Sequence, residues 1–362
     1  MQLAKKILFT ALLWAKRLLY LAVFLGLVFV GFWFLNSLYK ARTQNDDSVD
    51  LFYELPRDSA DVVCIGSSHV YCGINPGLFW EDSGGAACAL LSSSQQSTRV
   101  SYYYLQEALT RQHPKVIYID VACMAEGNFY AADLRGVKVM RPTRAKFAAM
   151  RDMMAQDSSY VLWDFFNLTA DSSRWQDLTE ENWEFATTRP YEKTRGFAYS
   201  TMMFTQMVPG DEANENISDE DLAQCSLPDL SVEYLNKMFA LGKQYPDTQI
   251  VFIRVPMYAT NWDDKMSGEV GALAEAAGYP YLDLNGQVPG LDYPDFFHRS
   301  HANFSGAEKI TAWLADYTIQ QYALPTHLDD PAYAGYAAAA EYYHATWAEL
   351  KRAYDAGGSV SL

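Results

Sequence analysis

Cysteines at metal-binding spacing are missing from this chain of 362 residues. Its five cysteines, Cys64, Cys72, Cys88, Cys123 and Cys225, form an odd and scattered set. That excludes a complete disulfide framework and leaves most of them as small core residues. Histidine is scarce, at six. Basic charge is in deficit, with 28 Lys and Arg against 44 Asp and Glu, a formal net charge of -16. The deficit is uneven. The first 42 residues carry Lys5, Lys6, Lys16, Arg17, Lys40 and Arg42 and no acid. Removing those six from the 28 leaves 22 basic against 44 acidic residues in the remainder. A body that acidic excludes nucleic acid as a partner class and disfavours strongly anionic substrates. Internal repeats are absent as well, so the chain is not a repeat array.

Apolar residues, in contrast, make up 50% of the chain, enough for one large domain or two ordinary ones. Their longest uncharged run, Leu18 to Leu35, extends through Asn36 and Ser37 to Tyr39. A run of about 18–22 residues is enough to cross a bilayer. It is longer than a signal-peptide core, and no small-x-small cleavage site follows it. Four positive charges precede it and two follow closely, which orients the amino terminus inside and the body outside the membrane. The earlier run Ile7 to Ala15 is too short to span and is expected at the cytoplasmic face. The expected organisation is an anchor at 1–42, a body at 43–325 that begins with a polar linker over Thr43–Val49, and a helical tail at 326–362.

In the body, short apolar runs suit strands at Val62–Ile65, Ala86–Leu91, Lys115–Asp120, Gln249–Val255 and Tyr279–Leu284. Helical spacing marks Thr98–Leu109, Arg144–Met154, Val232–Lys243, Trp262–Ala277, Ser305–Tyr322 and Ala332–Tyr354. Residues 121–245 interrupt the alternation and read as a helical insertion able to cover a site. Strands separated by helices predict an α/β fold with a parallel sheet covered on both faces. Ligands of such sheets sit at the carboxyl ends of the strands. Gly66-Ser67-Ser68, Ser92 to Gln96, Asp120 and Pro256 all fall at such ends.

Two stretches carry chemistry. The first is Asp61-Val62-Val63-Cys64-Ile65-Gly66-Ser67-Ser68-His69, a strand that ends on a glycine suited to a tight turn. A serine at such a corner meets backbone N–H groups able to stabilise negative charge. His69, next to Ser68, reads as a packing or pocket residue. The second stretch runs from Asp295 to Ala307 and holds His298 and His301 ahead of a helix. Histidine is the base a serine nucleophile needs, and a carboxylate nearby would fix its tautomer. Asn303 or Ser305 suits the cap of the helix that follows. His298 and His301 stand three apart in a loop with no third ligand nearby, so no metal site is expected. Asp120 reads either as a site residue or as a satisfied strand-end carboxylate. Arg174-Trp175 reads as a carbohydrate-pocket pair or as structure.

Gly66-Ser67-Ser68, together with a histidine followed by Asn303 and Gly306-Ala307, resembles the SGNH/GDSL hydrolase superfamily. The likeness is to its membrane-anchored bacterial branch, whose relatives act in O-acetylation of alginate and D-alanylation of teichoic acid. It covers roughly Asp61 to Tyr322. The resemblance implies a three-layer α/β/α fold with a flavodoxin-like parallel sheet, a Ser-His-Asp triad, a backbone oxyanion hole and no cofactor. Ser68 matches the family serine, with Ser67 in place of the usual aspartate. His301 matches the family histidine, with Asp295 or His298 as its orienting partner. The family's second-block glycine has no match; Ser94, Gln95 and Gln96 occupy its region. Asp120 stands where the Gly-x-Asn-Asp block would end, which leaves the second oxyanion donor unidentified. The implied activity is acyl transfer on a cell-envelope polysaccharide beside a membrane-bound O-acyltransferase. A non-catalytic envelope protein that uses the same cleft to bind a glycan or a membrane acyltransferase partner is the alternative.

Overall fold

A computed structural model describes residues 2–39, 47–126, 130–170, 175–176, 178–180, 182–183, 193–199, 201–207, 210 and 216–355. Arg174, Lys40, Arg42, residues 43–46 of the expected linker and the end of the expected tail at 356–362 lie outside them. Contacts divide the chain into two units, residues 1–42 with 166–189, and 43–165 with 190–362.

The first unit is built on one helix, Gln2–Leu38. The expected separation of Ile7–Ala15 from the apolar run does not occur. Lys16 and Arg17 are good helix formers, and no Pro or Gly stands beside them to break the hydrogen-bond ladder. Both cations instead lie over rings of the same helix, Lys16 over Tyr20 and Arg17 over Trp14. From Leu18 to Val30 the large apolar side chains are exposed. The segment Phe9–Leu38 is long and apolar enough to cross a membrane. Near its end Phe166 meets Phe32 and Trp33 at ring distances of 5.2 and 5.8 Å. The Leu168 N–H donates to Asn36 Oδ1 at 3.3 Å.

The second unit holds a five-stranded sheet, with strands β1 (Val62–Gly66), β2 (Cys88–Ser92), β3 (Val116–Asp120), β4 (Gln249–Arg254) and β5 (Tyr281–Asp283). Their order is β2-β1-β3-β4-β5, and every pairing is parallel. This is the flavodoxin-like order, in which the chain reverses direction across the sheet between β1 and β3. Every residue of β1, β2 and β3 is buried, which is why each reads as an unbroken apolar run instead of an alternating one.

One face of the sheet presents Cys64, Cys88, Leu90, Tyr118, Val251 and Ile253 to Phe304, Ala307 and Leu314 of the helix Phe304–Gln321. The helices Pro76–Asp82 and Ala334–Asp355 join this core, and Tyr343 donates to the Phe304 carbonyl at 2.8 Å. Gly77 is required here, because a Cβ would lie 2.6 Å from the Ala340 backbone nitrogen of the tail helix. The opposite face carries Thr98–Arg111, Asp229–Gly242 and Asn261–Ala276. Phe239 packs on Phe252 there at 5.5 Å, and Tyr102 and Tyr103 meet Tyr234. Helix starts follow sequence chemistry. Ser97, Thr143 and Asn303 each accept from a first-turn N–H, and Thr260 with Asp263 forms a capping box.

Two further expectations change. Residues 47–49 are not linker but begin the helix Asp47–Glu54. Ser48 is buried because its hydroxyl donates to the Ser92 carbonyl at 2.8 Å. Within 121–245 the described residues include the expected helices, found at Arg144–Gln156 and Asp229–Gly242, and an unexpected one, Tyr130–Val139.

Candidate active site

Ser68 opens the short helix Ser68–Gly73 directly after β1. The preceding residue, Ser67, is in an extended conformation and caps no N–H with its side chain. The first N–H groups of a helix have no acceptor within it, so those of Ser68 and His69 point out of the first turn. Gly66 does not serve a positive-φ turn as expected; it closes β1 in extended conformation. Its need is space. A Cβ would lie 2.5 Å from Val70 Cγ2 and 2.7 Å from Cβ of Asp120 on β3.

The histidines arrive on a small hairpin that sequence reading did not anticipate. Strands β6 (Phe296–His298) and β7 (His301–Ala302) pair antiparallel, with His298 opposite His301 and Arg299-Ser300 at the tip. The Arg299 guanidinium ties that tip to the start of the helix Asn261–Ala276, donating to Asp263 at 2.8 Å and to the Tyr258 carbonyl at 3.0 Å. At the other end Asn303 caps Phe304–Gln321 and donates to the carbonyls of Thr205 and Pro294. Gly306 lets that helix start against Asp295, whose carbonyl oxygen would be 2.1 Å from a Cβ.

This scaffold sets His301 Nε2 2.7 Å from Ser68 Oγ. For the serine hydroxyl to donate, Nε2 must be unprotonated and Nδ1 must carry the hydrogen. Nδ1 lies 3.1 Å from Ser300 Oγ, which in turn lies 3.0 Å from His298 Nδ1. The relay is therefore His301 to Ser300 to the exposed His298. Among the described residues no carboxylate lies within ion-pair distance of His301. Burial pushes the His301 imidazole down to about 3, aided by the charges of His69, His298 and Arg299. His298 is lowered for the same reasons, burial first and then Arg299 and His69.

Asp295 does not orient His301 in this geometry. Its carboxylate accepts from Lys309 Nζ at 2.9 and 2.7 Å, from Ser305 Oγ at 2.6 Å and from the Asp292 N–H at 2.8 Å. Those contacts cap a turn and clamp a helix. His298 reaches His301 only through Ser300. Gln96 is turned away from the serine: its Oε1 accepts from the Ser93 N–H and its amide donates to Ser101. Gln95 is exposed, in the left-handed region with φ of 54°. The two glutamine side chains thus belong to the turn after β2. Ser67 is buried, with its hydroxyl beside the Cys123 thiol. Asp120 is buried at the end of β3 and its Oδ1 accepts from the Val255 N–H at 3.2 Å. Its Oδ2 faces His69 Nδ1 at 3.5 Å. Trp175 is exposed. No group of three or more His, Cys, Asp or Glu arranged to hold a metal ion occurs among the described residues.

No protein-family model matches the chain, and no curated protein does. Among solved structures, the chain is similar to the crystal structure of a Bacteroides fragilis NCTC 9343 protein named as a candidate acylhydrolase. The likeness covers 78% of this chain and 99% of that one, at 10% identity and a TM-score of 0.37. An overlap that loose carries no argument, and the α/β assignment rests on the strand order itself.

Proposed function

We propose that the chain is a membrane-anchored serine acyl-transfer enzyme, an esterase or O-acyltransferase. The observation that carries this reading is the 2.7 Å contact between Ser68 Oγ and His301 Nε2, two side chains 233 residues apart in sequence. Ser68 attacks an acyl carbonyl and His301 takes its proton. His301 then returns that proton to the leaving group, and the acyl-enzyme passes its acyl group to a hydroxyl or to water. The Ser68 N–H is one oxyanion donor. The position of Ser68 beside the β1/β3 reversal of the sheet supports the reading, because ligands of this architecture bind there.

The anchor helix and its flanking cations support a body outside the membrane, and hence a cell-envelope polysaccharide as acceptor. The acidic body favours a neutral glycan over an anionic polymer. A membrane-bound O-acyltransferase that supplies the acyl group is the partner this reading implies.

The second reading, a glycan-binding protein without turnover, is favoured by one observation: His301 Nδ1 meets a serine hydroxyl and not a carboxylate. Labelling of the full chain in detergent by a fluorophosphonate separates the two. Labelling that disappears in Ser68→Ala supports the enzyme. Equal labelling of both proteins, or none in either, refutes it.

A further inference from the structure

The imidazole backed by a carboxylate in this site is His69, one residue after the proposed nucleophile. His69 is 7% exposed. Its Nδ1 lies 3.5 Å from Asp120 Oδ2, on a side chain that is 1% exposed. Neither atom has a hydrogen-bond partner within normal distance. The second Asp120 oxygen is fixed by the Val255 N–H, so the carboxylate is held facing the ring. Glycine at position 66 gives Asp120 the room to stand there. The groups around His69 are Asp120 from β3, Glu126 from the segment after it, His301 from β7 and His298 from β6.

A buried carboxylate with a free oxygen is costly unless a positive or hydrogen-donating group faces it. The ring of His69 is the group that faces it, and the exposed Glu126 stands on the side of that ring as well. His301 sits 5.4 Å away, ring to ring, and has neither. Burial, and next the charge of His69, hold it in the neutral form. Neighbouring groups whose surroundings push their protonation apart divide the labour of a site.

The geometry points to His69, pinned by Asp120, as the cationic oxyanion donor of this site, with His301 kept neutral beside it as the base. This rests on the acyl-transfer reading above. As Ser68 Oγ forms its bond to the acyl carbon, the serine proton goes to His301 Nε2 and the carbonyl electron pair moves onto oxygen. His69 Nε2–H donates to that oxygen and keeps its proton, alongside the Ser68 N–H. On collapse the electron pair returns, the bond to the leaving oxygen breaks, and His301 gives that oxygen its proton. His69 thus fills the second donor place, which the resemblance left unidentified.

The test uses the full chain in detergent micelles with p-nitrophenyl acetate. His69→Gln lowers kcat by about 10²–10³ with KM within about threefold, as loss of one oxyanion donor does. It also moves the acid limb of kcat/KM upward, because the charge that suppresses His301 is gone. Asp120→Asn moves both in the same direction by less. A merely structural role would lower activity without moving the limb. A folded His69→Gln protein with kcat within about threefold of wild type, or with an unmoved limb, overturns the proposal. Should the variants not fold, the ¹⁵N-histidine spectrum of wild type at pH 7 decides. His69 is assigned through His69–Val70, the sole His-Val pair in the sequence. It must show both ring nitrogens protonated; a neutral ring overturns the proposal. Absent Ser68-dependent labelling in wild type removes the acyl-transfer reading itself, a failure distinct from any confined to His69→Gln.

Discussion

Replacing Gly66 by alanine asks whether sheet packing sets the site. The added Cβ would stand 2.5 Å from Val70 Cγ2, 2.7 Å from Asp120 Cβ and 3.4 Å from Asp120 Oδ2. Neither near neighbour can yield cheaply. Val70 is fully buried, helical and β-branched, so its rotamer is restricted. Asp120 Cβ rides on the β3 backbone, which is paired with Ile253 of β4. Relief has to come from parting the ends of β1 and β3 by several tenths of an ångström. Overpacking of this kind costs about 1–3 kcal/mol. At about 2–4 °C per kcal/mol for a large domain, the melting temperature falls by about 2–12 °C. The control is Gly268→Ala, in the middle of the helix Asn261–Ala276, where a Cβ meets no atom within 4 Å. That change stabilises by about 0.5–1 kcal/mol, since alanine loses less backbone entropy than glycine on folding. Thermal melting followed by circular dichroism reads both variants. Ester hydrolysis reads the site, and Gly66→Ala loses rate because Asp120 shifts relative to His69. A Gly66→Ala protein that melts within about a degree of wild type, or a Gly268→Ala protein equally damaged, refutes the reasoning.

Three other outcomes are expected. His301 is pushed down to about 3 and so stays neutral through the mildly acid range. The kcat/KM profile should therefore be flat from neutrality to about pH 5 and fall only toward that value, whereas a limb centred at the ordinary imidazole value contradicts the burial argument. Asp295→Asn should cost about 1–2 kcal/mol of stability, through its contacts with Lys309 and Ser305, while kcat stays within about threefold; a loss of turnover like that of Ser68→Ala would make Asp295 a member of the relay. The full chain should remain in the membrane pellet through an alkaline carbonate wash, and release by the wash would contradict the spanning helix.

Short buried runs made the sheet legible. Val62–Ile65 and Val116–Ile119 are apolar throughout because helices cover both faces, and each of the five expected runs overlaps a strand. The helix cap was readable to within two candidates, Asn303 and Ser305, because capping is a local interaction, and Asn303 is the one that caps. What escaped was non-local or masked by composition. The helix at Asp47 opens with polar residues, and Ser48 is buried only because Ser92 supplies an acceptor from β2. The partner of Asp295 is Lys309, brought back by the turn of a helix. The pairing of His69 with Asp120 depends on the register of β1 against β3, Ile65 opposite Ile119, which neither segment encodes alone. Ser300 sits at a two-residue hairpin tip whose strands are too short to signal themselves.

A base held near 3 looks mismatched to its task, since proton transfer from a serine hydroxyl improves with the strength of the acceptor. The mismatch belongs to the resting state. The charge on His69 suppresses His301 as long as nothing opposes it. In the transition state negative charge builds on the carbonyl oxygen that His69 is proposed to hold. Seen from His301, that charge offsets the imidazolium, so its affinity for a proton rises as the serine proton departs. The same opposition acts in a site of low dielectric, where it is stronger than in water. His69→Gln should thus make His301 more basic at rest and the reaction slower, whereas a defect confined to base strength would move the two together.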